Sequence, residues 1–555
     1  MAFPWLCALL ALVGIVCGTP VERKRDLHGK RVYLRHLTVA QAKSLMQGNG
    51  TMMPDGIDPM ADGIDPMADG IDPMADGIDP EHLDDTPEIM PVTMHTEEGG
   101  HIHGLLLQRN FRVEHPVTVS FNDGVTETEN VPLNAEGHAQ YQDSMSSGVF
   151  GVRHVDGRKH FDGHFYLDGE NYEVHPLAED DGVRARGFEE HHPHIITRTE
   201  PLNYSDPIDL KDEHVRVTKT TKQKRGGHLD VEMAIVIDYG YYLRWLEKMG
   251  SQGAAVSEIK YMFSFNYNGI DSIYKTVNYQ GMTITPWLKA LHIQTSSNGN
   301  LALQLNPGIN PSGGRSNVVD GEQILDKMAE SWGPTNGFGV PSNYDTVMTY
   351  VGYKISRNGD PKVIGIAFTG HVCSPYGYSI VEDQGFNTFK VAAHELGHTL
   401  GAKHDVEPSG DCSPGKHHIM ESQDAMPNEA NNMDGYTFST CSLARMLEYT
   451  GRATCLGNRG SNSFGPVPVS PLPGEKFSAS EQCLWYHSWQ NPSSYHCRGS
   501  KATVSAEECW RGLWCSNNPT NCQRWENLRA AEGTPCAGGK KCIHAQMSIE
   551  QCLRI

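Results

Sequence analysis

Twelve consecutive residues, His394 to Asp405 (HELGHTLGAKHD), dictate a helix that must end in a sharp turn. His394 and His398 lie four apart, so on a helix both imidazoles leave one face a turn apart and can grip a single metal ion. Gly401 falls where the chain leaves that helix, and a residue without Cβ accepts the left-handed conformation such an exit uses. The turn then delivers His404 as a third ligand. Three neutral nitrogens leave one tetrahedral position of a zinc ion to water, whose pKa drops there to about 7. Glu395 follows the first histidine and can lean over that open side. It is placed to take a proton from the water and hand it to a leaving amine, a general base and not a ligand. A histidine pair at helical spacing is by itself often a solvated or core pair. Here six specified positions agree, and Met420 in HHIMES follows where a methionine turn would floor the site.

With Asp405 directly after the third histidine, HELGHTLGAKHD resembles the adamalysin (reprolysin) branch of the metzincins. The stretches GIAFTGHVCSPYGYSIVEDQGF before it and FSTCSLARMLEYTGRATCLGN after it are similar to the same domain of the ADAMTS proteases, so the resemblance spans roughly residues 226–458. It implies that Asp405 braces the site from behind the ligands. It implies disulfides Cys373 to Cys455 and Cys412 to Cys441, which spacing alone does not settle. It also implies a structural calcium held by Glu232, Asp345, the carbonyl of Cys455 and Asn458, hard oxygen donors of the kind calcium takes. Val406 stands where relatives often carry Gly or Asp, which touches loop shape and not ligation.

The chain has 555 residues, too many for one ordinary domain. Residues 1–18 (MAFPWLCALLALVGIVCG) form an apolar run that ends in small residues and is too short for a membrane span. It reads as a signal peptide, with no membrane anchor after it. Cysteine usage agrees with an oxidising, extracellular destination: of fourteen, two lie in that run, none between 19 and 225, and twelve in the C-terminal part. Residues 19–225 carry 21 basic and 37 acidic side chains, whereas the remainder carries 25 and 30. The near balance of the later part, with no basic stripe interleaved with aromatics, excludes nucleic acid as an expected partner.

Residues 55–80 repeat DGIDPMA, with Pro and Gly in every unit and two repelling aspartates, which reads as a flexible acidic spacer. From about His95 to Leu177 short alternating apolar segments between turn residues predict hairpins. GHFYLDGENYEVHPL there is similar to the close of a reprolysin propeptide. Sequons at Asn49 and Asn203 fall in this front portion. Lys222 to Arg225 precede the apolar run VEMAIVID and suggest a furin-like cut after Arg225. No cysteine precedes it to occupy the zinc, so His191, His192 and His194, beside Glu189 and Glu190, are a candidate substitute ligand set.

Strand-like and helix-like segments alternate after Gly226 and predict an α/β sheet domain. Within it IGIAF resembles the edge strand to which metzincin substrates add. A proline-rich stretch, 461–473, then leads to eight cysteines within seventy residues, too dense for anything but a disulfide-stapled module. SEQC, GLWC and AAEGTPC are similar to the ADAMTS disintegrin-like module; no Arg-Gly-Asp occurs and no thrombospondin repeat follows.

The expected architecture is a mixed-sheet α/β metzincin catalytic domain with a zinc helix (226–460). A mainly β propeptide (19–225) precedes it and a small disulfide-rich module (474–555) follows. The expected protein is a secreted zymogen zinc endopeptidase acting on extracellular proteins. A furin-like convertase would mature it, and the last module would present an exosite for matrix proteins or shield the cleft. The competing expectation is a secreted adhesion or toxin-like binding protein that acts through that last module.

Overall fold

The computed structural model describes residues 27–46, 86–199, 227–331, 344–422, 434–456 and 472–553, apart from short stretches within them. Residues 1–18, the 55–80 repeat, Asn49, Asn203, Arg225, Asn458 and most of the proline-rich 461–473 stretch lie outside the described residues.

The front of the chain contributes strands β1 (Lys30–His36), β2 (Ile89–Thr96), β3 (His101–Arg109), β4 (Val117–Phe121), β5 (Glu129–Val131), β6 (His138–Asp143), β7 (Val149–Val155), β8 (Arg158–Leu167), β9 (Glu170–Pro176) and β10 (Pro193–Arg198). Eight of them close into a barrel in the order β1-β10-β9-β8-β7-β6-β3-β2. Every barrel pairing is antiparallel, as tight turns such as Asp156-Gly157 between β7 and β8 allow. The interior is filled by Leu105, Tyr141, Phe150, Phe161, Phe165 and Tyr172, all buried.

The second part adds β11 (His228–Ile237), β12 (Thr283–Ile293), β13 (Val318–Asp320), β14 (Thr346–Val351), β15 (Lys354–Ser356), β16 (Gly365–Ala367) and β17 (Tyr378–Glu382). Seven strands make one mixed sheet, in the order β16-β17-β14-β11-β12-β4-β5. The segment VEMAIVI of β11 is buried throughout, the continuous apolar pattern of a parallel strand covered on both faces. Two helices follow it. Tyr239–Met249 is capped by the Asp238 carboxylate accepting from Tyr241 N at 2.7 Å, and is stopped by Gly250 at φ +71°. Gln252–Lys275, 24 residues long, lies across the sheet and is capped by Ser251.

Two members of the sheet, β4 and β5, come from before residue 226. β4 runs parallel to β12, with Thr118 opposite Ala290 and Phe121 opposite Ile293. The sheet therefore does not begin where a 226–460 domain would. The C-terminal module holds disulfides Cys483–Cys515, Cys497–Cys522 and Cys509–Cys542 around short strands. Its Phe477, Trp485, Leu513 and Ala530 join the apolar cluster that also contains the barrel interior. Among the described residues no helix is long and apolar enough to cross a membrane.

Candidate metal centre

The helix Thr388–Thr399 carries the first two histidines and is buried on every side. It packs across the long helix Gln252–Lys275, where the Tyr274 hydroxyl donates to the Ala393 carbonyl at 3.0 Å. The absence of a side chain at Gly269 makes room for Phe389. Gly401 stands at φ +104°, in the region that L side chains rarely adopt, and the chain turns there. The Gly401 amide donates to the His398 carbonyl and the Ala402 amide to that of Gly397, at 2.8 and 2.9 Å. His404 comes back over the helix end as a result.

The three Nε2 atoms converge: His394 to His398 3.0 Å, His398 to His404 3.1 Å and His394 to His404 3.3 Å. His394 Nδ1 lies 2.6 Å from the Ile419 carbonyl and His398 Nδ1 2.9 Å from that of Ala402. A carbonyl only accepts, so both Nδ1 atoms carry the proton, and in the neutral imidazole that binds metal both Nε2 atoms turn a bare lone pair into the shared space. Two lone pairs 3.0 Å apart in a buried pocket repel unless a cation lies between them. Tetrahedral zinc with Zn–N near 2.0–2.1 Å sets its nitrogens about 3.3 Å apart, so the donor set fits that ion. The carbonyls of Ile419 and Ala402 fix tautomer and ring orientation, as outer partners of metal-bound histidines do.

Glu395 points from the same helix toward the sheet edge. Its carboxylate occupies the space a Cβ on Gly365 of β16 would fill. β16 is the terminal strand of the sheet and runs antiparallel to β17. The loop that follows it bonds to the helix end, with the Gly370 amide donating to the His398 carbonyl at 2.8 Å. Beneath the histidines, Gly397 leaves room for Met420, whose Sδ would stand 2.7 Å from a Cβ there. The Met420 carbonyl accepts from the Asp405 amide at 3.0 Å.

Asp405 is buried and receives the Ser439 hydroxyl at 2.6 Å and that of Ser442 at 3.2 Å. Burial pushes its pKa up, and the two hydroxyls oppose the rise. Ser439 also caps the helix Thr440–Thr450. The disulfide Cys412–Cys441 and the Asp411 carboxylate accepting from Thr440 N at 2.7 Å fasten the same loop to the same helix. Cys373–Cys455 closes the other side.

Glu232, Asp345 and Cys455 gather at one place: the Asp345 carboxylate accepts from the Glu232 amide at 2.9 Å and lies beside the Cys373–Cys455 bridge. Glu232 is ion-paired with Lys289, a residue the sequence did not single out. The histidine cluster of the front segment lies elsewhere. His194 Nε2 accepts from Phe161 N at 2.9 Å, His192 Nε2 meets the Leu177 carbonyl at 2.8 Å, and His192 stacks on His160. These rings are committed to the barrel, which corrects the reading of them as substitute zinc ligands. Gly365 and Ser439 were also missed. A glycine inside a strand signals close approach of another group, but only the fold tells which.

Comparison with known proteins places these features. Residues 228–439 match the metallo-peptidase family M12, and residues 473–547 match the ADAMTS cysteine-rich domain 2. The last module, read from sequence as disintegrin-like and cysteine-rich, thus matches a cysteine-rich domain. Human "A disintegrin and metalloproteinase with thrombospondin motifs 13" is 29% identical over 210 residues, 36% of this chain and 14% of that protein. The Caenorhabditis elegans protein "A disintegrin and metalloproteinase with thrombospondin motifs adt-1" is 24% identical over 296 residues, 52% of this chain and 19% of that one. Archaemetzincin from Methanopyrus kandleri aligns over 42% of this chain and all of its own at 14% identity and a TM-score of 0.21, too low to carry an argument. The chain spans from 10% to 24% of the length of the curated relatives it matches. Over these stretches the chain is similar to the ADAMTS metalloproteases, in a metallopeptidase M12 match followed by an ADAMTS cysteine-rich match.

Proposed function

We propose that the protein is a secreted zinc endopeptidase, made as a zymogen, that hydrolyses peptide bonds of extracellular proteins. The observation that carries this reading is the convergence of three Nε2 atoms within 3.3 Å, two of them with lone pairs facing each other. His394, His398 and His404 would hold the ion. Bound there, zinc supplies a Lewis acid that polarises the scissile carbonyl and acidifies water. The outer edge of β16 positions the substrate backbone as an added strand, which brings the scissile amide beside Glu395. Glu395 takes the proton from the attacking water through its carboxylate and returns it to the departing amide nitrogen as the C–N bond breaks. Asp405 and Met420 keep the His404 loop in place, and Gly401 permits the turn that brings it there. A buried histidine trio with paired tautomers has no role in a protein that acts only through its cysteine-rich module.

Glu395→Gln tests the assignment. It is expected to retain one zinc per chain by elemental analysis and to lose at least about 10²-fold in kcat on a denatured protein substrate. Turnover at the parent rate would refute it. The finer parts of the reading are cleavage after Arg225 by a furin-like convertase, glycans at Asn49 and Asn203, and matrix-protein binding by the cysteine-rich module. A structural calcium at Glu232, Asp345, the Cys455 carbonyl and Asn458 would compete with Lys289 for Glu232. A rise in Tm on adding calcium that Lys289→Ala enlarges supports that ion, and a Tm blind to calcium in both proteins removes it.

A further inference from the structure

We infer that residues 30–198 are a permanent subunit of this protein and not a detachable leader: after a cut in the 199–226 connection, the barrel and its β4–β5 hairpin stay bound without any covalent link. No cysteine lies between 19 and 225, so no disulfide can hold the two pieces. The inference needs only a backbone cut and is independent of catalysis.

Three kinds of contact make the front segment part of its neighbours. The first is the sheet itself: β4 hydrogen-bonds along β12, and Val117, Val119, Leu133, Val149 and Tyr166 sit in the same apolar cluster as Ile235, Phe263 and Leu396 of the catalytic region. Withdrawal would strip a strand from the sheet and expose the cluster, at about 25 cal/mol for each Å² of apolar surface.

The second is a buried polar junction with the long helix. Asp271 has no solvent exposure and receives Arg112 at 2.6 Å, Asn110 at 2.9 Å and Gln142 at 3.1 Å, all from the front segment. Burial opposes its charge, yet Arg112 and Lys275 hold the carboxyl below its ordinary pKa. One turn earlier, Asn268 donates to the Tyr141 carbonyl at 2.7 Å. Farther along, Tyr261 donates to Asp162 at 2.9 Å, and Arg153 joins Asp162 to Glu258 while lying 4.1 Å over the Tyr261 ring. Gly151 lets the Tyr261 hydroxyl come that close. Separation would leave Asp271 a buried or newly hydrated charge without its guanidinium, the costly half of a broken ion pair.

The third is with the cysteine-rich region. Trp485 of the cysteine-rich region lies on the backbone at Gly104, its indole N–H toward the Leu105 carbonyl at 3.4 Å, and the Arg529 amide donates to the Met145 carbonyl at 3.2 Å. The barrel thus contributes to the apolar cores of both the catalytic and the cysteine-rich regions.

The test uses the full chain with Glu395→Gln, to prevent self-digestion, and a recognition site for a sequence-specific protease in place of 222–225. After complete cutting, the two fragments are expected to co-elute as one peak by size exclusion at roughly micromolar concentration, in physiological salt and in high salt, and to part only in denaturant. Separation in native buffer overturns the inference. Arg112→Ala in the cut protein is expected to weaken rebinding of fragments separated in denaturant by about 100-fold. Rebinding at parental affinity would overturn the role given to the Asp271 junction. Peptidase activity of the cut protein with Glu395 restored tests the proposed function separately.

Discussion

At the scale of single residues, chemistry at the centre is set by what small groups leave room for. The Glu395 carboxylate occupies the place of a missing Cβ at Gly365. Gly365→Ala is therefore expected to displace Glu395 while leaving the three histidines untouched. The expected result is full zinc content with kcat reduced by about 10² or more, the contribution typical of a positioned general base; a kcat within twofold of the parent would show that Glu395 works from another position. His175 offers a residue-scale prediction about pH. Burial disfavours its charged form, but hydrogen bonds and charge from Asp162 and Glu173, at 3.3 and 3.2 Å, outweigh this and raise its pKa from 6.5 to about 9. A pKa raised on folding stabilises the native state fully below 6.5 and less and less as pH climbs through 9. Urea midpoints on either side of that window should fall with rising pH, and His175→Gln should flatten the fall. A parallel pH dependence in the variant would remove His175 from the account. The histidine motif was legible because its three histidines lie within eleven residues, inside the reach of helical spacing. Lys289 and Gly365 were not, because the sequence separates each from its carboxylate by 57 and by 30 positions.

At the scale of elements, the loop bearing His404 is held less by its own sequence than by the helix Thr440–Thr450. Ser439 does two things with one hydroxyl: it accepts from Ser442 N at 3.1 Å as the helix cap and donates to Asp405 at 2.6 Å. Ser439→Ala should cost about 2 kcal/mol, a lost cap together with a buried carboxylate deprived of a donor. It should also hasten zinc loss to a chelator, since His404, the proposed third ligand, is anchored through Asp405. Denaturant unfolding and the rate of metal transfer check the two halves, and a destabilised protein with unchanged zinc release would separate the cap from the site. The alternation of strand and helix after Gly226 was readable because each element carries its own period, as in the buried run of β11 and the long helix behind it. The destination of β4 was not. VTVSF has the same two-residue alternation as the barrel strands around it, and nothing local says that it pairs with β12 about 170 residues later.

At the scale of the whole molecule, the cysteine-rich module and the barrel share one apolar cluster, so they should unfold as one cooperative unit despite lying at opposite ends of the sequence. Their junction has a defined centre: Trp485 is buried against Gly104, where any side chain would collide with the indole. Trp485→Ala removes the largest side chain of that contact and should cost about 3 kcal/mol or more. Because the disulfides Cys483–Cys515 and Cys509–Cys542 keep the small module closed on itself, the loss should come from the junction. The measurement is differential scanning calorimetry of the intact zinc-loaded chain, with metal release followed in parallel. In the variant the transition assigned to barrel and module together should move down by several degrees. The metal-release transition should move less, since Trp485 belongs to a different cluster from the histidine helix. Two separate transitions for barrel and module in the parent protein, with only the second sensitive to Trp485→Ala, would mean that the shared cluster does not couple them.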